Sequence, residues 1–136
     1  MTLFAETGKN LDSFSTGNRF ASWTGLAPNN KISGGKVISS HLPRKKHAIK
    51  RSLIHAANSL YRSNNALGDS YRRLRSRIGA KAAKCAMARK LAIIYYHMVT
   101  KKEAFNVELF EQHQASFKEK RIKFLKKQLS EMEQVA

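Results

Sequence analysis

The sequence predicts an all-α protein: a small helical bundle with a long Gly/Ser loop near the N-terminus and a basic C-terminal helix. Three observations carry that expectation. Apolar residues recur at helical spacing through most of the chain, the stretch 80–100 is rich in alanine, and only 27–43 combines turn residues with the absence of any helical period. At 136 residues with 42% hydrophobic content, one domain with a real core is the default.

Taken in order, Thr16 to Thr24 predict a short helix capped by Thr16, with Phe20 and Trp23 as an i, i+3 apolar pair. Gly25 and Pro28 end it. From Ala27 to Pro43 the residues Ala-Pro-Asn-Asn-Lys-Ile-Ser-Gly-Gly-Lys-Val-Ile-Ser-Ser-His-Leu-Pro predict a loop, with a short extended piece at Lys36 to Ser39. Loops of that length in compact domains are usually functional or disordered, so this is the first place to look for a site.

Beyond Pro43, the stripe Ile49, Leu53, Ala56, Ala57 and Leu60 lies opposite Lys46, Lys50, Arg51 and Asn58, which predicts an amphipathic helix. A second stripe, Leu67, Tyr71, Leu74 and Ile78, carries Arg72, Arg73, Arg75 and Arg77 on the remaining surface until Gly79 interrupts it. A third helix is expected from Ala80 to Thr100, with Ala83, Met87, Leu91, Ile94 and Met98 on one face. There the small residues Ala82, Ala83, Ala86 and Ala88 let another helix approach closely. In the last segment Ile122, Leu125, Leu129 and Met132 stand at 3-4-3 spacing. This short heptad-like seam can dock on the bundle or pair with another helix, but two heptads are too few for a coiled coil.

Charge narrows the function classes. Against 9 Asp+Glu there are 26 Lys+Arg, a formal net charge of +17, so the folded chain repels itself and suits a polyanion. Sixteen of the basic residues fall between Arg44 and Lys102, where the one acid is Asp69. The other acids flank this block, which suggests a central module that meets phosphate and a tail that packs or pairs. No run of about 18 apolar residues can span a bilayer, and no secretion signal opens the chain. A single cysteine, Cys85, excludes an internal disulfide and a cysteine zinc site, in keeping with a reducing compartment. A cytoplasmic protein without a membrane partner is expected.

Phosphate binding calls for convergent cations, of which arginine grips two oxygens at once. The candidates are Lys31, Lys36, Arg44, Lys45, Lys46, Lys50, Arg51, Arg72, Arg73, Arg75, Arg77 and Lys81. The four arginines 72, 73, 75 and 77 cover too wide an arc to meet one strand together. Tyr61, Tyr71, Tyr95 and Tyr96 fit core or boundary positions better than base stacking, because no aromatic-plus-basic motif of an RNA-reading sheet is present. A two-metal nuclease site needs several converging carboxylates, and the basic block holds one acid, so no metal site is expected in this chain. His41, His47, His55, His97 and His113 have no tight ligand spacing.

Ser33 stands in Lys31-Ile-Ser-Gly-Gly-Lys36, where glycines allow close backbone approach and two lysines supply charge. A Ser-Gly-Gly turn is also commonplace, and no Ser-His-Asp order surrounds it. The residues alone leave both a nucleophile and a plain turn open.

The string Phe20-Ala-Ser-Trp-Thr-Gly-Leu-Ala-Pro-Asn-Asn-Lys-Ile-Ser-Gly-Gly-Lys-Val37 resembles the hallmark segment of the DEDD-type bacterial insertion-sequence transposases, the IS-110 / IS-116 / IS-902 group. The likeness continues through Ala66-Leu-Gly-Asp-Ser-Tyr-Arg-Arg-Leu-Arg-Ser-Arg-Ile-Gly79 and Ala88-Arg-Lys-Leu-Ala-Ile-Ile-Tyr-Tyr-His-Met98. It spans roughly residues 3 to 106.

The resemblance implies a C-terminal serine domain over 1–106, truncated on its N-terminal side, followed by a charged helix over 107–136. It implies that Ser33 is the nucleophile, forming a transient phosphoserine link to DNA. A RuvC-like domain with four acids and Mg²⁺ would complete the site from elsewhere, leaving this chain inactive alone. The implied partners are DNA, an element-encoded guide RNA, the RuvC-like domain and further copies of the chain. Lys45-Lys46-His47 stands where many members carry a Gly-Asn turn. The alternative is a non-catalytic nucleic-acid-binding remnant of a decayed mobile element.

Overall fold

The computed structural model describes residues 5, 7, 8, 11–44 and 47–135. Lys45 and Lys46 lie outside the described residues. The described chain forms α1 (Gly17–Trp23), β1 (Asn29–Ser33), β2 (Lys36–His41), α2 (Ala48–Ser59), a 3₁₀ turn (Leu60–Arg62), α3 (Ala66–Ile78), α4 (Ala80–Lys101) and α5 (Val107–Val135). The fold is mostly helical, with one small two-stranded sheet.

Local chemistry explains the boundaries. The Arg19 backbone N–H donates to the Thr16 hydroxyl at the start of α1, a cap worth about 1 kcal/mol. At its other end Gly25 has φ +78°, and the N–H groups of Leu26 and Gly25 donate to the carbonyls of Ala21 and Ser22, both at 3.0 Å. This is a Schellman close, sealed by the buried side chain of Leu26. Asn65 caps α3 by accepting from the Gly68 N–H at 2.8 Å. Gly79, with φ +85°, both ends α3 and precedes α4. Ser70 on α3 and Lys90 on α4 meet across this junction, so the two helices fold back alongside one another.

The core of the first unit, Met1–Phe105, gathers around α4, which packs against α1, α2 and α3. Leu11, Phe20, Leu26, Ile49, Leu53, Tyr71 and Met87 are buried there. The Tyr96 hydroxyl donates to the Phe14 carbonyl at 2.6 Å, which satisfies a polar group that the core would otherwise strand. Asn106–Ala136 is a separate unit containing α5, whose Ile122, Leu125, Leu129 and Met132 are exposed.

Three expectations need correction. The stretch 27–43 is not an irregular loop: it contains an antiparallel hairpin, so the fold is not strictly all-α. Gly34 and Gly35 both take positive φ, +56° and +74°, in the two-residue turn that matches the twist of flanking strands. On α4 the buried residues are Ala83, Met87, Ala88, Ala92 and Tyr96, while Met98, Ala82 and Ala86 are exposed. A helix packed on three neighbours has no single apolar stripe. Ala56 and Ile78 are likewise exposed, at the edges of their stripes.

Candidate functional site

The hairpin has two chemically distinct faces. Its register pairs Asn29 with His41, Lys31 with Ser39 and Ser33 with Lys36, and these alternate along β1 with the pairs Asn30–Ser40 and Ile32–Val37. Cross-strand partners share a face and successive strand residues alternate. One face therefore carries Asn29, Lys31, Ser33, Lys36, Ser39 and His41. The opposite face carries Ile32 and Val37, with Ser40 donating to the Asn30 side-chain oxygen at 2.8 Å. A bulge between Lys31 and Ile32 leaves Ile38 as the extra residue of β2.

Ser33 thus stands at the hairpin tip with one lysine two residues before it and another directly across. A Cβ built on Gly34 or Gly35 meets nothing within 4 Å, so the turn backbone is open to a close ligand. Ile32, Val37 and Ile38 are 64%, 56% and 70% exposed, showing that the hairpin projects rather than packs. Ser39 shares the face, across from Lys31, but lies away from the glycine turn, and Ser40 and Ser52 share none of this setting. Ser39 and Ser52 are half-buried, and Ser40 lies on the other face.

The other basic candidates divide by what they touch. Lys50 on α2 donates to the Pro43 carbonyl at 2.7 Å, tying the segment after the hairpin to the helix. Arg72 donates to the carbonyls of Tyr61 and Ser63 at 3.0 and 2.9 Å, and its second nitrogen pairs with Asp69. Its guanidinium clamps the turn between α2 and α3. Arg75 lies over the Tyr61 ring, 4.3 Å from the centroid. Arg44, Arg51, Arg73, Arg77 and Lys81 are exposed to solvent. The structure brings Lys31, Ser33 and Lys36 together, whereas Arg72, Arg73, Arg75, Arg77 and Lys81 belong to the α3–α4 side.

One cation escaped sequence reasoning. Lys90 is half-buried between α3 and α4, with its ammonium 3.4 Å from the Ser70 hydroxyl. Burial, and then the nearby Arg73 charge, lower its pKa below the ordinary lysine value. No sequence signal marked it, because its burial depends on how α3 and α4 cross. Among the described residues no three His, Cys, Asp or Glu side chains come together to hold a metal ion. No helix of the described residues is long and apolar enough to cross a membrane.

Fold and site together define a strongly basic, mostly helical domain that carries a serine and two lysines on one face of a projecting hairpin. The family model for the Transposase IS116/IS110/IS902 family matches residues 1–73, and the chain belongs to that family. The match spans α1, the hairpin, α2 and the first part of α3. A transposase-related function follows. A comparison with curated proteins finds no match.

Proposed function

We propose that this chain is the DNA-binding C-terminal domain of a DEDD-type insertion-sequence transposase, and that Ser33 is its nucleophile in DNA recombination. The observation that carries this reading is the placement of Lys31, Ser33 and Lys36 on one hairpin face beside an open glycine turn. The two ammonium groups suit the non-bridging oxygens of a phosphodiester and the extra charge of its pentavalent transition state. Ser33 Oγ forms a bond to phosphorus, the bond from phosphorus to one deoxyribose oxygen breaks, and the released hydroxyl gains a proton as Ser33 loses one. The resulting phosphoserine keeps the energy of the diester for rejoining.

The basic block holds one carboxylate, Asp69, and that group pairs with Arg72, so acid–base work and Mg²⁺ are assigned to a RuvC-like domain outside these residues. In this proposal residues 1–106 form the serine domain and 107–136 a charged helix. DNA, a guide RNA and further copies of the chain are its partners. The same shortage of carboxylates favours the second reading, a non-catalytic nucleic-acid-binding remnant.

Supplying a RuvC-like domain and guide RNA in trans separates the two. A covalent protein–DNA adduct is expected with the wild-type chain and none with Ser33→Ala. An adduct that persists in the variant moves the nucleophile elsewhere, and the absence of any adduct favours the remnant.

A further inference from the structure

The hairpin leaves and re-enters the helical unit near two rings. Trp23 is the last residue of α1, six positions before Asn29, and His47 stands six positions after His41. Their ring centroids lie 5.1 Å apart at an interplanar angle of 46°. His47 occupies the N-cap position of α2, yet its imidazole makes no capping hydrogen bond. Most helices give that position to a hydroxyl, carboxylate or amide, whereas here the side chain is turned to an aromatic contact.

Trp23 is held firmly but not covered. Its indole packs against Phe14 and Phe20, with centroids at 5.3 and 6.1 Å, and 36% of the residue remains exposed. The neighbouring stretch of chain is cationic. No acid occurs from residue 13 to residue 68, and Arg44 and Arg51, close to His47 in the chain, are both exposed. A rigid indole set in a stretch of chain that holds no acid and exposes Arg44 and Arg51 suits a ligand that joins a flat π-face to a negative backbone. An uncharged aromatic or sugar ligand would have no use for those cations.

We infer that Trp23, flanked by His47, is a stacking platform for one unpaired base of the DNA strand whose phosphate meets the Lys31–Ser33–Lys36 face. The inference rests on the proposed function. Trp23 and Ser33 are ten residues apart, a reach of at most about 35 Å, so the platform and Ser33 can engage different nucleotides of one strand. A stacked base fixes the strand's position relative to the hydroxyl, which attack on a chosen phosphodiester requires.

The chain contains one tryptophan, so fluorescence excited selectively in the indole band reports on this site alone. The full chain is titrated with a mixed-sequence single-stranded oligodeoxynucleotide, with an equally long strand of abasic residues, and with the matching oligoribonucleotide, each at several salt concentrations. The base-bearing DNA is expected to quench Trp23 and to bind roughly 5- to 150-fold more tightly than the abasic strand. The two salt slopes should match, because stacking releases no counterions. His47→Ala should weaken the base-bearing strand several-fold and leave the abasic strand unaffected. This variant avoids disturbing the Phe14 and Phe20 packing that Trp23→Leu would change.

Equal affinity for the two DNA strands without quenching overturns the stacking site, while a steep salt slope in the same data leaves the DNA-binding reading standing. Stronger quenching by RNA overturns the assignment to DNA. If no strand binds, both readings fall.

Discussion

Arg72 and Arg73 are neighbours on α3 with different work to do. Arg72 is held by two backbone carbonyls and Asp69, whereas Arg73 is exposed. Arg72→Ala is expected to cost about 1–2 kcal/mol in chemical denaturation and to leave the salt slope of DNA binding unchanged. Arg73→Ala should do the reverse, costing no stability, since it relieves a repulsion on Lys90, and making the slope shallower by roughly 0.9 if it meets one phosphate. Gly68 is constrained by space rather than by φ: a Cβ there would lie 2.1 Å from the Ser63 carbonyl oxygen and 2.9 Å from that of Leu60. Gly68→Ala should therefore destabilise by about 3 kcal/mol, seen as a lower thermal midpoint, despite alanine's better helix propensity. Lys90 offers a test by pH. Its folded pKa lies below the ordinary 10.5. Between the two values the unfolded chain holds a proton that the folded chain has lost, so stability rises with pH across that window. Below it the full cost of the buried charge remains. Lys90→Met should raise the unfolding free energy at pH 7, measured by chemical denaturation, by no more than about 1 kcal/mol because solvent screens the exposed half, and should flatten the alkaline rise.

The hairpin is the element whose chemistry was partly legible. Its position, its candidate serine and its extended piece at 36–39 follow from sequence, but its turn residues argue for a loop when counted by composition. The available signal was Gly-Gly flanked by Ile32, Val37 and Ile38, since two adjacent residues with positive φ close strands in register. Gly34→Val and Gly35→Val each force a branched side chain into the left-handed region, at about 1–2 kcal/mol or more. Cross-strand NMR contacts such as Lys31–Ser39 should vanish in these variants. The thermal midpoint of the helical unit should move by only a few degrees, because the strands lie outside its core. The other elements were legible through their ends: Thr16 and Gly25 bound α1, and Gly79 separates α3 from α4. The buried face of α4 was not, because a periodic stripe presumes one contact surface and α4 has three.

At the scale of the molecule the charge of +17 governs behaviour. If about five to eight phosphates are neutralised, duplex binding should weaken with salt at a log–log slope on the order of −5 to −7, measured by anisotropy between low and physiological salt. A flat response contradicts a polyanion ligand. The structure qualifies which charges contribute. Lys50, Arg72 and Arg75 contact carbonyls or a ring, while Lys31, Lys36, Arg44, Arg51, Arg73, Arg77 and Lys81 face solvent.

The sequence by itself determined the mostly helical character, the ends of α1, the break at Gly79 and the basic block, which rest on composition or on interactions within a few positions of the chain. Its family resemblance made Ser33 the residue to watch. Tertiary structure decided the rest: which cations serve folding, which face of the hairpin Ser33 shares with lysines, and the meeting of Trp23 with His47. Each depends on groups brought together from separate elements, and a pattern read along one strand or one helix contains no information about the surface packed against it.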